Sequence, residues 1–167
     1  MPITYICVLV GSLSLSGFPF LSGFYSKDFI LETSVGAYTM TSMFSFWLGS
    51  LTAFLTAFYS FRLFYIGFMQ TSGSIKTILQ NSHESGLPVI AALTPLAFGS
   101  IFSGYVFRDA FIGMGSGVFS GSIFVASDTL YSLNAEFVPF FYKSIPLAFS
   151  SFGILLAIVL YSSFSRL

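Results

Sequence analysis

The stretch Gly17-Phe18-Pro19-Phe20-Leu21-Ser22-Gly23-Phe24-Tyr25-Ser26-Lys27-Asp28 interrupts a long apolar run and decides how the rest of the chain is arranged. Residues 1–16 carry no charged side chain, and the apolar pattern resumes directly after Asp28. Pro19 has no N–H group and its ring clashes with the carbonyl four residues earlier, so a helix should break here. Gly17 and Gly23 make the change of backbone direction easy. The first helix is therefore predicted to be broken between Gly17 and Pro19.

Three ionisable side chains follow this break: Lys27, Asp28 and, one helical turn later, Glu32. A broken helix is tolerated in lipid only where its backbone faces protein or water, and ionisable groups beside such a break are typical of ion pathways. Gly23 lies four residues before Lys27, so we expect its missing side chain to leave room for water beside the ammonium. The competing interpretation is that Lys27 and Asp28 anchor a short helix at the membrane interface.

The composition identifies the class of protein. The chain has 167 residues, of which 55% are hydrophobic and 7% are charged, whereas about 25% are charged in a soluble domain. The net charge is zero, which gives no reason to expect a nucleic-acid partner. Cys7 is the single cysteine, which excludes an internal disulfide framework and a cysteine-based metal site. These features predict an integral membrane protein.

Charge-poor runs of about 20 residues locate the membrane spans, because that length of helix crosses the hydrocarbon core. The predicted fold is an all-α, polytopic membrane protein in one domain, residues 1–167, with both termini on the same side. Pro95 is expected to kink the third span. The four transmembrane helices are predicted at about 3–34, 41–69, 87–107 and 144–165, with loops at 70–86 and 108–143.

Three further polar residues are candidates for accessory roles. Arg62 lies among aromatic residues, which favours an arginine that snorkels to the interface with aromatic contacts over direct proton handling. His83 and Glu84 lie together in the polar loop. For His83 a solvated or helix-capping role is favoured over a place in a proton path. No second cluster of ligands accompanies it in the sequence, so no metal site is predicted.

The sequence of residues 11–28, GSLSLSGFPFLSGFYSKD, resembles subunit 5 of mitochondrial NADH dehydrogenase (ubiquinone), the distal antiporter-like subunit of respiratory complex I. Residues 59–62 (YSFR), 82–85 (SHES) and 99–105 (GSIFSGY) resemble the same subunit in the same order. The resemblance covers about helices 12–15 of that family. It implies a fragment of a split subunit, completed by other chains that supply the preceding helices and a lateral helix.

The resemblance also implies a function. The chain would be part of the proton-translocating membrane arm of NADH:ubiquinone oxidoreductase, in which Lys27 is the terminal lysine of a proton channel and Asp28 and Glu32 pass the proton on. It would be an enzyme subunit without its own redox centre or cofactor, with flavin and iron–sulfur clusters in other subunits. Its partners would be the chains completing the subunit, neighbouring complex I membrane subunits and lipids, and no nucleic acid. The expected location is the mitochondrial inner membrane, as a multi-pass protein.

Two other classes of function stay open from the sequence. One is a subunit of a cation/proton antiporter, which shares the fold and the lysine. The other is a structural or assembly membrane protein whose charges only anchor it and which transfers no protons.

Overall fold

The computed structural model describes residues 1–70, 83–84, 86–111, 118, 135 and 137–164. This part of the chain is helical and contains no strand, which confirms the predicted all-α fold. The helices are α1 (Pro2–Ser16), α2 (Ser22–Gly36), α3 (Met40–Phe64), α4 (Leu87–Phe111) and α5 (Phe140–Phe164), and a π-helical turn, Tyr65–Met69, continues α3. Among the described residues, three helical segments are long and apolar enough to cross a membrane: Met40–Met69, Leu87–Phe111 and Phe140–Ser163. α1 is a shorter apolar helix.

The predicted break separates α1 from α2 and begins before the proline. Gly17 adopts a left-handed conformation with φ of 82°, and its N–H donates to the carbonyl of Ser14 at 3.2 Å. The N–H of Phe18 reaches back to the carbonyl of Leu13 at 3.0 Å. Together these bonds form the Schellman motif that commonly ends helices at glycine. The glycine therefore terminates α1, and Pro19 lies within the non-helical segment 17–21.

The broken pair α1–α2 runs antiparallel to α3. The Tyr5 ring, near the start of α1, lies 5.2 Å from the Phe64 ring near the end of α3. At the other end of the pair, Leu31 of α2 fills the space that a side chain at Gly49 would occupy. α1 therefore contacts the end of α3 and α2 contacts its beginning. The break residues Gly17, Phe18 and Pro19 line a cavity together with residues within 147–155 of α5.

α3 and α5 run parallel to each other in close contact. A Cβ built at Gly153 of α5 would lie 2.6 Å from the carbonyl oxygen of Phe54, so only glycine permits this approach. The rings of Phe54 and Phe152 stack at 5.8 Å, and those of Phe58 and Tyr161 meet at 6.3 Å. α4 packs against both α1 and α2. It touches α2 where Gly104 leaves room for the backbone of Ser22.

The apolar core is small and lies where α2, α3 and α5 meet. Its buried members are Leu31, Val35, Phe46 and Val138, with Tyr142 and Ile145 packed against them. α4 has no buried residue within the described part of the chain, and large apolar side chains project outward from all of the longer helices. An apolar surface of this extent is typical of contact with lipid or with further helices.

Two helices extend beyond the predicted spans. α4 continues to Phe111, so Arg108 and Asp109 are helical, and α5 begins at Phe140, so Lys143 is helical too. The sequence-based prediction ended spans at charged residues. Long basic side chains can instead remain on a helix and extend their charged ends along it. Pro95 lies inside α4 as expected. Most of the predicted loops 70–86 and 108–143 lies outside the described residues.

Candidate functional site

The Lys27 ammonium lies at the carboxyl end of α1. Its Nζ atom donates a long hydrogen bond, 3.5 Å, to the carbonyl oxygen of Ser16, the last residue of that helix. The final carbonyls of a helix have no partner within it and carry the negative end of the helix dipole. A Cβ at Gly17 would lie 3.7 Å from Cδ and 3.9 Å from Nζ of Lys27, so the lysine passes directly over this glycine. The break thus presents a negative backbone terminus to the lysine.

The structure corrects the role expected for Gly23. We expected its missing side chain to leave space for water beside Lys27. A Cβ at this position would instead overlap the carbonyl group of Ser14 in α1. The backbone of α1 fills the space, and Gly23 serves to let α2 approach α1 closely enough for Lys27 to reach Ser16.

Asp28 and Glu32 face a cavity between α2 and α4. The cavity has a volume of about 160 Å³ and is lined by Phe24, Tyr25, Asp28, Phe29, Glu32 and Arg108. Asp28 and Glu32 lie four residues apart and therefore share a face of α2. The Arg108 guanidinium, from α4, lies 5.6 Å from the centre of the Tyr25 ring, within cation–π range. The cavity has room for water and brings two carboxyl groups and one cation to its walls.

Glu32 also forms an ion pair with α5. Its Oε2 atom lies 3.6 Å from Nζ of Lys143, and the two side chains are 23% and 29% exposed, respectively. The charges after the break therefore have an opposite partner on another helix as well as one another. The sequence placed Lys143 just outside a span, whereas the structure places it in the first turn of α5, facing α2.

The accessory candidates lie apart from this arrangement. Arg62 is exposed on α3, and its guanidinium lies 5.7 Å from the ring centre of Tyr161 in α5, an aromatic partner that is distant in sequence. Glu84 accepts a hydrogen bond of 2.9 Å from the N–H of Ile3 and so caps the first turn of α1. His83 is exposed. The capping function considered for the histidine is performed by its neighbour Glu84.

Sequence reasoning missed three contributors to the site: the Ser16 carbonyl, Arg108 and Lys143. The two cations were visible only as charges bordering spans, and no local signal shows which helix they face. The Gly17 helix end was the one available sign that a free carbonyl terminus would lie before Lys27. In the part of the chain that the structure describes, no group of three or more His, Cys, Asp or Glu side chains is arranged to hold a metal ion.

Comparison with known proteins relates this site to one family. The family described as "NADH:quinone oxidoreductase/Mrp antiporter, TM" matches residues 1–56, which include the break and Lys27. NADH-ubiquinone oxidoreductase chain 5 of Phytophthora infestans is 45% identical over 161 residues, covering 96% of this chain and 24% of the relative. The same subunit of Acanthamoeba castellanii is 46% identical over 164 residues, with coverage of 96% and 24%. That of Arabidopsis thaliana is 41% identical over 157 residues, with coverage of 93% and 24%.

The similarity extends over nearly all of this chain but over a limited part of each relative. The chain spans about a quarter of the length of the curated relatives it matches. It is therefore similar to one region of NADH-ubiquinone oxidoreductase chain 5, and its first 56 residues match a family of NADH:quinone oxidoreductase and antiporter membrane proteins.

Proposed function

We propose that this chain forms part of the proton-translocating membrane arm of NADH:ubiquinone oxidoreductase and that Lys27 carries protons within it. The relatives named above are all chain 5 of that enzyme. They come from eukaryotes, which supports a place in the mitochondrial inner membrane. Electron transfer through flavin and iron–sulfur clusters is assigned to other subunits, and this chain contributes to proton movement.

The observation that carries the proposal is the position of Lys27 against the Ser16 carbonyl at the broken end of α1. Secondary transporters bind their coupling cations at such interrupted helices, where unwound backbone and half-helix carboxyl ends supply oxygen ligands. The negative end of α1 stabilises protonated Lys27 more strongly than neutral Lys27, which carries no charge. A change in the separation of α1 and α2 would therefore change how strongly the lysine holds its proton.

The free energy needed to move a proton against the membrane potential is comparable to the free energy of burying a charged lysine in the membrane. Delivering one charge against the membrane potential requires about 2.3 kcal/mol per 100 mV. Placing a charged lysine at the centre of a membrane costs about 2.5–3.5 kcal/mol on insertion scales. Alternate hydration and desolvation of a single lysine can therefore supply a large part of the free energy for one proton-transfer step.

The cavity lined by Asp28 and Glu32 supplies the next part of the proposed path. Asp28 follows Lys27 directly in α2, and Glu32 lies one turn further along the same cavity wall. Water in the cavity would connect the two carboxyl groups by hydrogen bonds. We propose that a proton released from Lys27 passes to Asp28 and then towards Glu32.

Two substitutions at Lys27 in the assembled complex test this proposal. Lys27→Met removes the charge, and Lys27→Arg keeps the charge but replaces the ammonium by a guanidinium that stays protonated in proteins. We expect both variants to assemble and both to pump fewer protons per NADH than the wild type. Phe18→Leu, at an exposed position in the break, serves as the control and should pump normally.

The arginine variant separates proton transfer from a purely structural charge. If the positive charge only holds α2 against the end of α1, Lys27→Arg pumps normally while Lys27→Met fails. That outcome would overturn the proposal. Normal pumping by an assembled Lys27→Met complex would overturn it as well and would favour the anchoring interpretation.

A second candidate function is a subunit of a cation/proton antiporter, because the matching family includes Mrp antiporters as well as NADH:quinone oxidoreductases. The two candidate functions predict different partners for this chain. We propose that the apolar faces of α4 and the other long helices pack against further complex I membrane subunits and lipids. Purification of the chain in mild detergent with a large NADH-oxidising assembly would support complex I. Cation/proton exchange by an assembly lacking NADH oxidation would support the antiporter.

A further inference from the structure

The contact between α2 and α5 combines an apolar cluster with the Glu32–Lys143 ion pair. Leu31 and Val35 of α2 belong to the cluster, and Tyr142 and Ile145 of α5 pack against it. Each charged residue is the direct chain neighbour of one of these apolar residues. The ion pair therefore lies beside the apolar contact and joins the same two helices.

The two kinds of contact constrain α2 differently. Apolar burial is non-directional and does not by itself specify which charged side chains of the two helices meet. A charge pair with an N···O separation of 3.6 Å is lost if either helix rotates or slides by a few ångströms. Both side chains are about three-quarters covered, so a separated charge is poorly compensated by solvent. The ion pair thus favours the register of α2 and α5 in which Glu32 and Lys143 face each other.

The register of α2 matters because the same helix carries Lys27. Glu32 lies five residues after Lys27, which corresponds to a rise of about 7.5 Å along the helix. Lys27 meets the Ser16 carbonyl at 3.5 Å, the outer limit of a hydrogen bond. A slide of α2 by one residue, about 1.5 Å, is enough to break this contact.

We infer that Lys143 is a positioning residue: by pairing with Glu32 it holds α2 in the register that places Lys27 against the carboxyl end of α1. The inference assigns Lys143 no proton of its own to transfer, and its consequence for pumping rests on the proposed function of Lys27. Its structural consequence, the position of α2, stands independently of that function.

The test uses the purified complex with Lys143 replaced. In Lys143→Met the pair is absent, and we expect the distance from Lys27 Nζ to Ser16 O, measured by electron cryomicroscopy, to increase by at least ~1.5 Å, one helical residue. The same variant should pump fewer protons per NADH. Lys143→Arg keeps a cation and should retain both the distance and the pumping. Phe141→Met is the matched control, because it introduces the same residue two positions away, at a side chain that is 70% exposed. It should alter neither the Lys27–Ser16 distance nor the number of protons pumped per NADH.

Glu32→Gln removes the pair from the other side with little change of volume, and should displace α2 in the same way as Lys143→Met. The inference is overturned if α2 keeps its position in both variants. It is also overturned if Lys143→Met lowers pumping while the Lys27–Ser16 distance is unchanged, because Lys143 would then act through its own charge. If Lys27→Arg pumps normally, the proposed function fails, whereas a displaced α2 in Lys143→Met would still support the positioning role.

Discussion

Replacing Gly23 by alanine tests whether the close approach of α1 and α2 holds Lys27 in place. The added Cβ would overlap the Ser14 carbonyl group, which belongs to a helix backbone and cannot rotate away as a side chain would. Overpacking of this kind costs about 1–3 kcal/mol. Exchanging glycine for alanine contributes about 0.8–1.0 kcal/mol of stability in a helix interior and at most that amount in the first turn, where Gly23 lies. The net change for Gly23→Ala is therefore a loss of about 0–3 kcal/mol.

Gly11→Ala is the matched variant, because a Cβ at Gly11 would meet nothing within 4 Å in this chain. It gains helix propensity without the overlap, so the difference between the two variants reports mainly the packing cost of about 1–3 kcal/mol. The assay is the temperature of half-inactivation of NADH:ubiquinone reduction in the assembled complex, followed by protons pumped per NADH. We expect Gly23→Ala to be less heat-resistant than Gly11→Ala.

We also expect Gly23→Ala to lower proton pumping, because separating α1 from α2 lengthens a Lys27–Ser16 contact that already measures 3.5 Å. Equal half-inactivation temperatures for the Gly23 and Gly11 variants would refute the packing argument. Normal pumping by a Gly23→Ala complex with measurably separated helices would refute the link between this packing and Lys27.

Three further predictions concern the helices that frame the site. Gly153→Ala should lower the half-inactivation temperature, because its Cβ would lie 2.6 Å from the Phe54 carbonyl oxygen at the α3–α5 contact. Thr39→Ala should lower the stability by about 1 kcal/mol, because it removes a capping box in which Thr39 and Ser42 exchange side-chain-to-backbone hydrogen bonds. In the same thermal assay, Thr39→Asn should recover most of the lost stability. Pro19→Ala should leave the break in place, because α1 already ends at a left-handed glycine before the proline; a continuous helix through this segment in a structure of the variant would contradict that account.

Local rules of backbone chemistry made the class of fold and the break predictable from sequence. Pro19 removes a hydrogen-bond donor and Gly17 readily adopts positive φ, and both effects depend only on the residues themselves. The near absence of charge in long runs located in the same way the three helical segments that, among the described residues, are long and apolar enough to cross a membrane. Lys27 was recognisable as a candidate because an ionisable group within an apolar helix is costly wherever it lies.

The partners of the site residues were decided by the tertiary structure. Glu32 and Lys143 are far apart in sequence, and only the packing of α2 against α5 brings their charges within 3.6 Å. The sequence shows that Gly23 lies one helical turn before Lys27. Whether water or the Ser14 carbonyl occupies the space left by the missing side chain depends on where α1 lies. Sequence periodicity states which residues share a face of one helix, whereas the neighbour that covers that face follows from how all the helices pack.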